Sequence, residues 1–166
     1  MPARSGPLKT QRRSPSQRRL TAELPSTMAF MQLLWTVDHG LRSLSKQMHT
    51  RLGLTGPQRL VLRLVGRFKQ VAPSELSDLL HLDRGTMTGI VERLVERGLL
   101  VRVKDSQDRR SYSLRLSREG RRMDRETSGT VEACVRKTLA ALPPAKIAAA
   151  KAVLRTLAIE LDQTTQ

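Results

Sequence analysis

The chain has 166 residues, with 39% hydrophobic and 27% charged side chains, enough for one folded domain and too balanced for wholesale disorder. Thirty Lys and Arg against fifteen Asp and Glu leave a net charge of +15, which points to a polyanionic partner. Four aromatic residues are too few for a single-strand stacking platform, one cysteine excludes an intramolecular disulfide, and no apolar run approaches the roughly 18–20 residues of a membrane helix.

Residues 1–25 carry six basic groups against one acid and hardly a large apolar residue before Leu20, so they read as a flexible basic arm. Helical periodicity begins at Ser26: Phe30, Leu33, Leu34, Val37, Leu41, Leu44, Met48 and Leu52 recur at steps of three and four. Thr55 with Gln58 then forms a capping box, and Pro57 suits the first turn of a helix with Leu60, Val61, Leu64, Val65 and Phe68 on its buried side. Ser74 is read as the N-cap of a short helix ending at Leu80, and four residues separate it from a second helix, Gly85–Arg97, stopped by Gly98.

The period changes to two at Leu99. A strand to Lys104, a polar turn and a strand from Tyr112 to Leu116 make a hairpin over 99–116. Ser117 caps a long helix carrying Met123, Val131, Cys134, Val135 and Leu139, and Pro143-Pro144 ends it. A last helix places Ile147, Val153, Leu154, Leu157 and Leu161 on one face. The expected fold is therefore mainly α, with six helices and a two-stranded wing.

Charge follows these elements. Residues 51–125 hold seventeen basic groups against nine acidic ones, whereas the stretches on either side, 26–50 and 126–166, are nearly neutral. An arginine-rich coding bias would scatter charge without leaving such neutral flanks. The pattern suits one lobe that meets phosphates and another that meets protein.

Two helices over 74–97 joined by a four-residue turn, then a hairpin, form a winged helix-turn-helix. In the second helix Met87, Ile90, Val91 and Leu94 must pack inward, leaving Gly85, Thr88, Gly89, Glu92 and Glu96 on the opposite face with Arg84 at its start and Arg93 on a flank. Glycine inside a helix costs about 0.5–1 kcal/mol relative to alanine, so two of them imply a close approach to something. Threonine offers base edges a hydroxyl or a methyl. At the hairpin tip, Lys104, Arg109 and Arg110 surround Asp105 and Asp108. A narrow minor groove attracts inserted arginine, and a neighbouring aspartate can hold the guanidinium extended.

The run LTGPQRLVLRLVGRF followed by SELSDLLHLDRGTMTGIVERLVERGLLVRVKDSQDRRSYSLRLSREG resembles the multiple antibiotic resistance regulator (MarR) family of transcription factors. The resemblance rests on Leu-Thr-x-x-Gln, Glu-Leu-x-x-x-Leu, Asp-x-x-Thr-x-Thr, Arg-Gly-Leu and the Asp-x-x-Asp-Arg-Arg wing closing on Leu-x-Leu-Ser. It implies one domain over 26–163, with dimerisation helices at 26–52 and 118–163. It also implies a homodimeric repressor on a pseudo-palindromic operator, with recognition helices in successive major grooves and wings in the minor groove. Arg110 matches the wing-tip arginine and Asp108 its orienting carboxylate. The residues expected at double-stranded DNA are Ser74, Arg84, Thr86, Thr88, Gly89, Arg93, Lys104, Asp108, Arg109 and Arg110. Trp35 and His39, one turn apart, are the expected contacts of a small-molecule effector that releases the operator.

Other features carry less. His39, His49 and His81 are isolated and lack metal-ligand spacing, so no metal or other cofactor is expected. Cys134 is expected in the core rather than at a redox switch. No nucleotide-binding, phosphate-loop, metalloprotease or nucleophile-elbow motif is present, so the chain is not read as an enzyme. The expected setting is the cytoplasm, at the nucleoid, and the alternative function is non-specific nucleic-acid compaction by a basic scaffold, with a redox- or metal-sensing regulator as a subclass of the first reading.

Overall fold

The computed structural model describes residues 15–104 and 112–165. In chain order these form α1 (Pro15–Ala22), α2 (Ser26–Leu52), α3 (Gly56–Phe68), α4 (Pro73–Leu80) and α5 (Arg84–Glu96). The hairpin β1 (Leu100–Lys104) and β2 (Tyr112–Leu116) follows, then α6 (Arg118–Arg125), α7 (Val131–Ala140) and α8 (Pro144–Thr165). The chain divides into two compact units, residues 1–40 and 41–166, with the boundary inside α2. In the first unit the segment expected to be a flexible arm contains the helix α1, closed by an exposed Arg19–Glu23 pair one turn apart.

The core lies in the second unit. Leu54, Val61, Leu62, Leu76, Val91, Leu94 and Leu114 are wholly buried, and they bring α3, α4, α5 and the hairpin around one centre. The two strands are antiparallel, with Leu100 opposite Leu116 and Lys104 opposite Tyr112. Val71 exchanges backbone hydrogen bonds with Leu114, so the segment before α4 lies along the free edge of β2.

The α3 helix starts as its sequence dictates: Thr55 N–H donates to Gln58 Oε1 at 3.0 Å, and Gln58 N–H reaches back to Thr55 Oγ1. Its buried face differs from the expected one. Gln58, Arg59, Val61, Leu62 and Val65 point inward, while Leu60 is 47% and Phe68 51% exposed. The stripe is rotated by about one residue because its first turn buries polar groups that have partners deeper in the fold.

Those partners explain a second difference. The helix expected to run on from Ser117 is broken at 126–130 into α6 and α7. Arg59 is 1% exposed and closes the end of α6: its guanidinium donates to the carbonyls of Met123 at 2.6 Å, Asp124 at 3.2 Å and Glu126. The last carbonyls of a helix need donor partners, and a cationic donor is the favoured one. Gly129 then turns the chain with φ 58°, and buried Thr130 caps α7 by accepting from Ala133 N–H.

Gly120 sets how α6 meets the hairpin. A Cβ built there would lie 2.0 Å from the carbonyl oxygen of Leu99, so the two backbones touch where only glycine fits. Ser117 completes the joint, accepting from Gly120 N–H at 2.8 Å and donating to Gly98 O at 2.6 Å.

Beyond this joint α7 and α8 bury no described side chain within the chain. Val153, Leu154, Ile159 and Leu161 are each at least half exposed. Cys134, expected in the core, is exposed on α7, because that helix has no intrachain layer to pack against. No described helix is long and apolar enough to cross a membrane.

Candidate nucleic-acid interface

The helix α4 begins at Pro73, with Ala72 rather than Ser74 at the N-cap; Ala72 N–H donates to Glu75 Oε2 at 2.7 Å. Ser74 sits exposed inside the first turn. Proline at the first helical position moves the cap two residues upstream, and the glutamate supplies the cap that the alanine cannot. The helix closes with His81 in the left-handed region, φ 49° and ψ 46°, and Leu82 N–H donates to Ser77 O at 3.0 Å. This bend turns the chain toward α5.

Asp83 caps α5. Its Oδ1 accepts from Thr86 N–H at 2.8 Å and its Oδ2 from the Thr86 hydroxyl. The hydroxyl and backbone bonds from Thr86 hold this carboxyl below the usual carboxylate range. Inside α5, Met87, Ile90, Val91 and Leu94 are buried as the spacing requires. Arg84, Gly85, Thr86, Thr88 and Arg93 are exposed, and a Cβ at Gly89 would meet nothing within 4 Å. The structure thus gathers Arg84, Thr86, Thr88, Gly89 and Arg93 on one helix.

Both threonine hydroxyls are already donating, Thr86 to Asp83 and Thr88 to the Arg84 carbonyl at 2.7 Å. What α5 offers outward is therefore threonine methyls and oxygen lone pairs, an open glycine surface, two guanidinium groups and, further along, the exposed carboxylates of Glu92 and Glu96. That set suits contact with thymine methyls, with exocyclic amines and with phosphates.

The far end of α5 is anchored to α2. Arg97 donates to Leu52 O at 3.1 Å and to Gly53 O, and Gly53 has φ 68°. In the hairpin, the Arg102 guanidinium lies 5.2 Å from the centre of the Tyr112 ring, a diagonal pair that braces the two strands. Lys104 is exposed at the end of β1. Asp108, Arg109 and Arg110 lie outside the described residues. Trp35 and His39 are both exposed on α2 in the N-terminal unit, Trp35 at 79%. Among the described residues no group of three or more His, Cys, Asp or Glu is placed to hold a metal ion.

The positioning residues Arg59, Arg63, Arg97 and Gly120 were not picked out by sequence reasoning. Arg59 Nε donates to Glu132 Oε1 at 2.7 Å, and Arg63 Nη1 donates to Asp124 Oδ1 at 2.8 Å, so α3 grips both α6 and α7. Burial alone would raise the Glu132 carboxyl, but the hydrogen bonds and charge of Arg59 outweigh it and hold the group below the usual range. The available signal was an arginine interrupting the apolar run of α3.

Residues 52–111 match the model of the MarR family. The chain is 28% identical over 88 residues to the organic hydroperoxide resistance transcriptional regulator of Bacillus subtilis, covering 53% of this chain and 60% of that protein. It spans 35–60% of the length of the curated relatives it matches. Among solved structures it is 29% identical to the PcaV transcriptional regulator of Streptomyces coelicolor, described with its natural ligand, with TM-score 0.63 over 76% of this chain and 89% of that one. The MepR–DNA complex of S. aureus is 16% identical with TM-score 0.68, covering 79% of this chain and 97% of that one, a likeness of fold.

Proposed function

We propose that this chain, whose residues 52–111 match the MarR family, is a winged-helix protein of that family and binds double-stranded DNA sequence-specifically as a homodimeric transcriptional regulator. The observation that carries this reading is the exposed face of α5, where Arg84, Thr86, Thr88 and Gly89 stand together with no side chain filling the space over Gly89. A helix with such a face can lie close against base edges in the major groove. Arg93 and Lys104 then meet phosphates, and Ser74 at the start of α4 adds a hydroxyl donor beside the backbone. The wing-tip residues Asp108, Arg109 and Arg110 enter the minor groove.

The exposed leucines of α8 support a homodimer, since apolar faces of this extent are covered in soluble proteins. Repression, released by a small-molecule effector near Trp35 and His39, is the regulatory mode we place on this assembly. The ligand-bound S. coelicolor relative supports an effector. Such a regulator works in the cytoplasm at the nucleoid.

Selection of duplexes from a random pool, followed by gel shift against excess unrelated duplex, tests the proposal. A regulator retains a preference of about 10³–10⁷ for its selected site. Equal binding to every duplex would replace this reading with that of a basic compacting protein.

A further inference from the structure

A cavity of about 390 Å³ opens between the C-terminal end of α3, the strand β2 and α6, away from α5 and its reading face. Its floor is apolar, made by buried Val65 and half-buried Leu116. Around the mouth stand Lys69, Arg115, Arg121 and Arg125, all exposed. The one carboxylate in the lining, Asp124, is matched by Arg63 at 2.8 Å. Four cations therefore face one opening with no carboxylate left to balance them.

Two details show how the opening is held. Arg121 is fixed at the edge of the floor, donating from Nη1 to the Leu116 carbonyl at 3.0 Å, with its other N–H groups left over. Lys69 ends α3 at φ 65°, a backbone conformation that glycine adopts freely and lysine does not. Gly66 keeps the wall low: a Cβ there would lie 3.0 Å from Asp124 Oδ2 and 3.1 Å from the Leu116 side chain.

The volume falls within the roughly 300–1,000 Å³ of small-molecule sites, which are mostly apolar with a few placed polar groups. A bare inorganic anion would use the cations and leave Val65 and Leu116 wet. We propose that this cavity binds a small organic anion, with its flat apolar body on Val65 and Leu116 and its carboxylate, sulfonate or phosphate held by Lys69, Arg115, Arg121 and Arg125. Its lining includes neither Trp35 nor His39.

Calorimetric titration of the full chain with 1-naphthalenesulfonate, in the absence of DNA, tests this independently of any operator. Saturable binding at one site per chain is expected. Lys69→Glu with Arg125→Glu should weaken it about ten-fold, the size of effect that two charge-assisted contacts make. Lys146→Glu with Lys151→Glu, the same charge change on α8, should leave it unchanged. Inorganic phosphate at equal concentration should not displace the probe. The assignment is overturned by unsaturable titration, by equal weakening in both double variants, or by displacement with phosphate or a short duplex as effective as the probe itself.

Discussion

Arg59 on α3 and Glu132 on α7, 73 residues apart, meet through a 2.7 Å hydrogen bond from Nε to Oε1, with the arginine side chain buried. The same guanidinium takes the carbonyls that end α6, so one side chain fixes the angle between two helices. Arg59→Met removes the guanidinium from the Glu126 carbonyl and from Glu132, leaving Arg63 3.8 Å from the Glu132 carboxylate as its remaining cation. It should lower stability by about 3–5 kcal/mol, read by urea denaturation. Adding Glu132→Met to that variant should cost much less than the second change alone in the parent, because the two residues act as one unit.

Glu132 also makes stability depend on pH. Its folded carboxyl titrates below its unfolded one, so its contribution is fully present above the unfolded value and is lost as pH falls through the folded value. Denaturation midpoints measured from neutral pH into the acid range should fall more steeply in the parent than in Glu132→Gln. Parallel curves would show that the pair is not coupled to protonation.

Two glycines give opposite outcomes when replaced by alanine. Gly120→Ala forces a Cβ against the Leu99 carbonyl and should cost about 3 kcal/mol or more, seen as a large fall in melting temperature. Gly89→Ala meets open space within a helix and should stabilise the fold by about 0.5–1 kcal/mol. Its methyl nevertheless stands on the face proposed for base contact, so the more stable protein should bind its selected duplex less well. A Gly89→Ala variant with unchanged DNA affinity would move the interface elsewhere.

The wing separates shape reading from simple attraction. Arg110→Ala should weaken the selected duplex by about 1–3 kcal/mol and narrow its margin over unrelated DNA. Arg93→Ala should weaken both duplexes about equally, and Asp108→Ala should reproduce part of the Arg110 defect with folding intact. Fluorescence anisotropy on one selected and one scrambled duplex reads all three.

The proposed homodimer is built on the apolar side of α8. Leu157→Asp places a charge among Val153, Leu154 and Leu161 and should break a dimer built there, since burying an unpaired charge costs several kcal/mol. Light scattering should give a dimer for the parent at micromolar concentration and a monomer for the variant. An 18.6 kDa parent would count against the homodimer.

What the sequence made legible was local chemistry. The Thr55–Gln58 box, the inward set Met87, Ile90, Val91 and Leu94, and the switch to period two at the hairpin each follow from spacing within a few residues. The face of α3 did not. Leu60 and Phe68 continue a better apolar stripe with the half-buried Leu64 than Gln58, Arg59 and Leu62 do, and only partners far along the chain turn those two outward. The break between α6 and α7 was hidden for the same reason, because Arg59 and Thr130 hold it from outside any helical period. The cap of α4 lies two residues before Ser74, since glutamate three residues beyond Ala72 can cap a helix without a side chain at the cap itself. On the face of α5 proposed for DNA, residue types were readable, but the internal donation of the Thr86 and Thr88 hydroxyls needed coordinates.

The contact at Gly120 bears on inheritance as much as on folding. Every missense change of a glycine codon adds at least a Cβ, and here the first added atom already lands on a carbonyl oxygen. The position has no conservative neighbour to drift through, although it presents no side chain to DNA, to a ligand or to another subunit. In a survey of random coding variants it should stand out as intolerant, beside arginines on the same helix that accept many replacements.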